Sequence, residues 1–441
     1  MADSSWRLTP LHSWVARKIG NSSGVLTREA IEAFQLRKVR ETLYLAKGKS
    51  IFYRTQLTSF PPDIGCLDEL QHYPFTTAED ICREPLQFLC VSQNEIQRVV
   101  TLGSSGTTGQ PKRIFFTGGD QELTIDFFQA GMSTFTAPGD RVLILLPVER
   151  PGSVGDLLAI ALERMGVIGI RHGLVRDVRH TLAVMASEGV NGVVGVPIQV
   201  LALARNAGTG GSLRFGLKSV LLTMDHVPQA IVRAVEVSWG CTVYNHYGMT
   251  EMGLGGGVEC QARRGYHFRE ADLYLEIIDP INGRIVSEGE YGEVVFTTLT
   301  RRGMPLIRYR TGDISRFIPG DCPCGTVLRT LEKVRSRLRN RVDLGNGHFL
   351  TMADLDEALF PLAGVRNFTA SLSREGNLDR LQVEVWGTDE TQVQVVQKAV
   401  AAIPGVRGAR ESGRLEVVSM MQQEGPLKFS GQAKRMLVDR R

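Results

Sequence analysis

The chain has 441 residues, 43% of them apolar and 22% charged, with a formal net charge of +4. That length exceeds one ordinary core, so two or more domains are expected, and the composition is that of a globular protein. The basic excess is small and contains no run of like charges, which argues against a nucleic-acid partner, and the absence of an apolar stretch of about 18 residues argues against a membrane span.

The opening MADSSWRLTP lacks the charged-then-apolar order of a secretion signal, so a cytoplasmic protein is expected. REAIEAFQLRKVRETLYLAKG spaces Ile31, Phe34, Val39 and Leu43 for one helical face and is predicted as a helix. From about Asp140 the pattern changes. RVLILLP, VIGI, GVVGVP, LKSVLLT and TVYNHYG are short apolar runs predicted as buried strands. They are separated by GDLLAIALERMG, VRHTLAVMASEG and PQAIVRAVEVSWG, which are predicted as helices. Such alternation predicts an α/β fold with parallel sheets covered by helices. Beyond Gly265, LYLEIIDPINGRIV and YGEVVFTTL carry an Asn-Gly turn and predict a small antiparallel element. The basic run RSRLRNR marks a boundary, giving residues 1–335 as a large N-terminal domain and 336–441 as a smaller α+β module.

Four of the seven cysteines, Cys66, Cys82, Cys90 and Cys241, stand mostly beside apolar residues and read as buried thiols. Cys260, His267, Cys322 and Cys324 form C-x6-H followed by C-x-C, three thiols and an imidazole that match a closed zinc site in ligand type. The spacing departs from the common C-x2-C knuckle, and unrelated surface cysteines with a solvated histidine are the plain alternative.

TLGSSGTTGQPKRIFFT, Thr101 to Thr117, crowds three glycines and several hydroxyls ahead of Lys112. Glycines let backbone N–H groups converge on phosphate oxygens, and Ser and Thr hydroxyls add donors. A flexible Gly/Ser/Thr turn has the same composition, and the spacing is not that of a Walker loop. The order of residues decides between them. SSGTTGQPK resembles, residue for residue, the phosphate-binding loop of the adenylate-forming superfamily of acyl-CoA synthetases, adenylation domains and luciferases. YGMTE at Tyr247 to Glu251 and YRTGD at Tyr309 to Asp313 follow in that family's order. YPFTTAEDI, VEC, EVVFTTL and MPLIRYRTGD resemble its phenylacetate-CoA ligase branch.

The resemblance implies an enzyme that joins a carboxylate to ATP, releases pyrophosphate and passes the acyl group to CoA with release of AMP. Ser104, Ser105, Gly106, Thr107, Thr108, Gly109 and Lys112 would cradle the phosphates. Glu251 would ligate Mg²⁺ with Thr250 beside the α-phosphate. Tyr247, Gly248 and Met249 would line the adenine site, and Asp313 would accept the ribose hydroxyls. Asp225, His226, His246, Gly255 and Gly256 fall in the segments expected to line the acyl pocket, although His246 could equally be structural. The four-residue Cys/His set would be a structural zinc clamp. Relatives of this branch also suggest a homodimer and a mobile C-terminal domain.

Three positions depart from the family pattern. The family ends its C-terminal motif in Ser-Gly-Lys, whereas LKFSGQAKR has Gln432 there, leaving Lys428 or Lys434 to stand in for the lysine. The hinge SRLRN keeps Arg337, counted here with the ATP site, but replaces both acids of the family motif with Arg339 and Asn340. LLTMD at Leu221 to Asp225 replaces a Gly-Gly-Glu-like turn. Three readings follow: a carboxylate–CoA ligase, an adenylate-forming enzyme with an amine or carrier-protein acceptor, or a nucleotide-binding homologue without efficient turnover. The small and polar pocket residues favour an aromatic or small polar acid.

Overall fold

The computed structural model describes residues 6–21, 25–103, 111–207, 216–334, 336–338, 341–362, 364–376, 378–387, 393–422 and 435–441. The phosphate loop Ser104–Gln110 lies outside the described residues, as do Arg339, Asn340, Lys428, Gln432 and Lys434. The chain divides into two compact units. One comprises Met1–Gly139, Pro147–Gly169 and Tyr244–Val334; the other comprises Asp140–Leu146, Ile170–Val243 and Arg335–Arg441.

The first unit opens with helices Pro10–Lys18, Arg28–Lys49 and Ile51–Gln56. The second of these starts at Thr27, whose hydroxyl accepts the Ala30 N–H, and turns Ile31, Phe34, Val39 and Leu43 inward, as the sequence spacing predicts. An antiparallel pair joins Ile96–Leu102 to Lys112–Thr117, so Lys112 stands opposite Leu102. Thr117 and Asp120 then form a capping box that begins helix Gly118–Met132. Buried Asp120 also accepts the N–H groups of Arg302 and Gly303 at 3.0 and 3.2 Å, pinning a distant loop to this helix start.

Strands Leu273–Ile278, Gly292–Thr298 and Tyr309–Ser315 form the expected antiparallel element. The Asn-Gly turn sits at Asn282-Gly283, where Gly283 has φ +73°. A second antiparallel ladder runs from His246 and Tyr247 through Gly257–Glu259 and Tyr266–Phe268 to Thr330–Leu331. A continuous core containing Phe88, Phe115, Phe268, Phe296 and Tyr309 joins these layers.

In the second unit, Arg141–Leu145, Gly192–Gly195 and Ser219–Leu222 are parallel neighbours in that order. Past Arg141 and Ser219 at their starts they carry no polar side chain, because helices cover them, among them Val178–Ser187, Pro197–Ala207 and Gln229–Trp239. The C-terminal residues add a hairpin of Val365–Glu375 with Leu378–Gly387, to which Leu415–Gln422 pairs in parallel. Helices Met352–Leu359 and Val393–Ala402 belong to the same core. Arg205 donates to the backbone carbonyls of Val365 and Phe360, joining the two parts of this unit.

The α/β class expected from the sequence is therefore observed. One burial expectation is corrected. Cys66 is exposed, because it caps the short helical turn Leu67–His72 rather than entering the core; Cys82 is partly exposed, while Cys90 and Cys241 are buried.

Candidate active site

The strand Thr242–Tyr247 ends at the first predicted motif, and the chain then folds back on itself. Gly256 N–H donates to the Tyr247 carbonyl at 3.1 Å, and Leu254 N–H donates to that of Met249 at 3.0 Å. No side chain fits at Gly248, where a Cβ would lie 2.9 Å from the Gly255 Cα. The fold-back forces Glu251 inside, at 4% exposure, within a single helical turn Thr250–Met252.

The Glu251 carboxylate meets two groups brought by other elements. It pairs with the Lys112 ammonium at the start of the hairpin strand and accepts the Tyr309 hydroxyl at 3.1 Å. The Lys112 Nζ also lies 3.2 Å from the Tyr309 oxygen, closing a triangle. Burial alone would raise the carboxyl, but the Lys112 charge, with hydrogen bonds from Lys112 and Tyr309, holds it below the ordinary carboxylate range. The backbone beneath is fixed by Arg301, whose guanidinium donates to the carbonyls of Glu251 and Phe115 at 2.9 and 2.8 Å.

The Tyr247 hydroxyl donates to Asp313 at 2.6 Å, and its ring stacks on Tyr266. The sequence Arg-Thr-Gly-Asp explains how Asp313 reaches this place. Glu293 pairs with Ile314 and Val295 with Arg310, so Thr311, Gly312 and Asp313 bulge opposite Val294 alone. Gly312 takes φ +74° and gives its N–H to Glu293 at 2.9 Å. The Thr311 hydroxyl donates to the Val294 carbonyl at 2.7 Å and accepts the Asp313 N–H at 3.0 Å. Asp313 is fully buried as a result.

His246 and Gly255 pack against helix residues Phe127 and Phe128, whereas Gly256 faces Met252 and Phe268. The His246 ring centroid lies 6.2 and 6.4 Å from the two phenyl centroids, and a Cβ on Gly255 would strike Phe127 at 2.6 Å. Burial first, and then the Arg269 charge, depress the His246 imidazole to about 4, so it is neutral at physiological pH.

Asp225 and His226 belong to the second unit, where they face its C-terminal residues. Asp225 accepts the His226 N–H at 2.9 Å and the Arg435 N–H at 3.5 Å, and His226 Nε2 is 3.3 Å from Glu357. Arg337 lies in the two-residue strand Ser336–Arg337 of the same unit.

Cys260, His267, Cys322 and Cys324 converge with all ligand atoms within 4.8 Å of one another, and all four residues are buried. Cys260 Sγ is 3.6 Å from Cys322 Sγ, and Cys324 Sγ is 3.5 Å from His267 Nε2. Bond lengths of about 2.3 Å to sulfur and 2.0 Å to nitrogen give tetrahedral edges of ~3.8 and ~3.5 Å, so the cage fits a zinc ion. The turn that makes this possible is Cys-Pro-Cys-Gly: Gly325 at φ +80° returns its N–H to Cys322.

Sequence reading missed Arg301, Asp120 and Arg269. They carry no period or spacing, and one arginine among many gives no signal of its own burial.

Residues 94–299 match the family described as AMP-binding enzyme. Lys112, Tyr247 and Glu251 fall within that match, and they meet Tyr309 and Asp313 just beyond it. Along most of its length the chain is similar to phenylacetate-coenzyme A ligases. It is 27% identical over 377 residues to the phenylacetate-coenzyme A ligase of Pseudomonas putida, covering 81% of this chain and 82% of that one. The phenylacetate-coenzyme A ligase of Escherichia coli K12 is likewise 27% identical, over 376 residues. The fold is similar to that of a 2-hydroxyisobutyryl-CoA ligase in the postadenylation state, with TM-score 0.80, 21% identity, and coverage of 100% of this chain and 93% of that one.

Proposed function

We propose that this chain is an AMP-forming carboxylate–CoA ligase. The observation that carries the reading is the buried Lys112–Glu251–Tyr309 triangle, which joins the end of the phosphate loop to the acid expected to bind magnesium. The names of its relatives support the same chemistry.

In the first half-reaction a carboxylate oxygen attacks the α-phosphorus of ATP and pyrophosphate leaves. Positioning and neutralisation of charge carry most of such a step. Lys112 supplies a cation beside the phosphates, Thr250 a hydroxyl, and Asp313 two acceptor oxygens for the ribose diol. Glu251, a carboxylate kept ionised in a dry place, has the hard-oxygen character that magnesium prefers; when bound, the metal neutralises phosphate charge. In the second half-reaction the CoA thiol attacks the acyl carbonyl and AMP leaves. The acyl group lies against Phe127, Phe128 and His246 beside the Gly255-Gly256 turn, which suits a compact or aromatic acid. Residues 336–441 act as the mobile C-terminal domain, and zinc at Cys260, His267, Cys322 and Cys324 is structural.

Gln432 favours a second reading. A glutamine brings no charge to the anionic centre that a lysine serves in the family, and losing such a group costs on the order of 10²-fold or more in rate. Adenylation is then slow unless Lys428 or Lys434 substitutes. Acid-dependent exchange of labelled pyrophosphate into ATP, measured over aryl and short-chain acids, tests the reading. CoA-dependent AMP release then identifies the acceptor. Absence of exchange with every acid would leave a nucleotide-binding homologue.

A further inference from the structure

Arg308 takes φ +47°, a left-handed backbone that a residue with a Cβ adopts only at a cost. Such positions persist where their surroundings over-determine them, and they gather at functional sites. The Arg308 side chain is held on every side. It is 1% exposed, pairs with Glu276 at 2.9 Å, donates to the carbonyls of Gln71 and Tyr73 at 2.6 and 2.7 Å, and lies over the Phe75 ring. Its main-chain N–H donates to the Thr297 hydroxyl at 3.0 Å.

Tyr309 follows directly, and Thr76 grips the chain on both sides of it. The Thr76 N–H donates to the Arg308 carbonyl at 3.1 Å, and the Thr76 carbonyl accepts the Arg310 N–H at 2.9 Å. The Thr76 hydroxyl donates to the Ile307 carbonyl at 2.7 Å, and the Ile307 N–H donates to the Tyr53 oxygen at 2.9 Å. The Tyr53 and Thr76 oxygens are 2.9 Å apart. A hydroxyl has one proton, and that of Thr76 is used on Ile307, so Tyr53 donates to Thr76 and the three residues close a ring. Thr76 and Tyr53 are each 1% exposed, which seals the ring from solvent.

The clamp fixes the residue whose hydroxyl reaches Glu251. Phe296 supports the Tyr309 ring, with centroids 5.4 Å apart, but offers its hydroxyl no hydrogen bond. The Tyr309 oxygen lies 3.1 Å from the Glu251 carboxylate, so a displacement of about half an ångström ends that hydrogen bond. Thr76 and Tyr53 touch neither Glu251 nor Lys112 and act on them only through the position of Tyr309.

We propose that Thr76, with Tyr53, is a positioning residue for the nucleotide site: it sets the Tyr309 hydroxyl, and through it the Glu251 carboxylate, where Glu251 can hold magnesium on ATP. The assignment rests on the reading of Glu251 as the magnesium-binding acid.

The test measures ATP binding by calorimetry, with magnesium and with a chelator. Wild type is compared with Thr76→Val, Thr76→Ser, Tyr53→Phe, Tyr309→Phe and the double variants Thr76→Val/Tyr309→Phe and Tyr53→Phe/Tyr309→Phe, with thermal melts confirming that each is folded. Thr76→Val and Tyr53→Phe should each weaken binding of magnesium–ATP about threefold to tenfold, the worth of one hydrogen bond, and leave metal-free binding unchanged. Thr76→Ser keeps the hydroxyl and should keep the affinity. In the Tyr309→Phe background neither substitution should weaken binding further, because residues acting through one group are not additive. Should Thr76→Val fail to fold, Tyr53→Phe and its double variant decide the question. Additive losses, equal losses with and without magnesium, or folded variants with unchanged affinity would overturn the inference. Pyrophosphate exchange on the same samples keeps the two claims apart. Coupled, magnesium-specific losses without exchange in wild type defeat the ligase reading and leave the clamp, whereas wild-type binding indifferent to magnesium removes the role of Glu251 and the inference with it.

Discussion

Replacing Lys112 with methionine keeps the length of the side chain and removes the ammonium from the Glu251 triangle. The variant leaves a carboxylate at 5% exposure with the Tyr309 hydroxyl at 3.1 Å and its own backbone N–H to stabilise it. Removing one partner of a buried ion pair costs about 3–5 kcal/mol. Lys112 keeps 18% of its side chain exposed, so a loss of about 2–3 kcal/mol is expected here. Glu251 is held below its ordinary value, so the pair stabilises the fold above the unfolded carboxyl value of about 4.3 and the contribution fades as pH falls through the folded value. The difference between wild type and Lys112→Met in urea unfolding should therefore be full from pH 7 down to about 4.3 and shrink below it. The double variant Lys112→Met/Glu251→Gln should recover most of the loss, since no unpaired charge remains. A single-variant loss under about 0.5 kcal/mol, or one independent of pH, would refute the pairing as the source of stability here.

Purified protein is expected to carry one zinc per chain, and Cys322→Ser or prolonged chelation should lower the melting temperature; zinc-free protein with full stability and activity would exclude the clamp. The His246 imidazole, lowered to about 4, is neutral in the fold, so its contribution is complete above about 6.5 and is lost as pH drops toward 4. That amounts to about 3.4 kcal/mol, and His246→Gln should remove the corresponding slope in stability against pH. Gln432→Lys should raise pyrophosphate exchange if the glutamine is a simple loss of charge. A fall in exchange would show that the site is built around another group.

Much of the architecture was legible because apolar runs such as Val142–Leu145 and Val193–Val194 have no polar alternation, and only strands covered on both faces read that way. The convergence of Glu251, of Asp313 and of the Cys260, His267, Cys322 and Cys324 cluster was signalled by motifs in the sequence. The arginines were not. Arg301 and Arg308 are buried at 6% and 1% exposure, and each is held by backbone carbonyls from segments far away in sequence. Arg308 donates to the carbonyls of Gln71 and Tyr73 and pairs with Glu276, so its environment comes from three separated stretches. A linear reading contains no signal for such convergence. Cys66 illustrates the opposite error. Apolar neighbours suggested burial, whereas the N-terminal position of a short helical turn placed it outside.

The bulge at Thr311–Asp313 has a consequence for how this segment tolerates changes in length. Three residues opposite one add an even number to the strand, so side-chain parity is preserved on both flanks. Tyr309 before the bulge and Ser315 after it remain inward as partners of Phe296 and Gly292. Substitutions here act one side chain at a time. A single inserted or deleted residue would instead turn one whole flank over, withdrawing Tyr309 from Glu251 or Ser315 from the Glu332 carbonyl. The segment can therefore vary its chemistry far more readily than its length, and only a change of two residues could leave both ends facing the core.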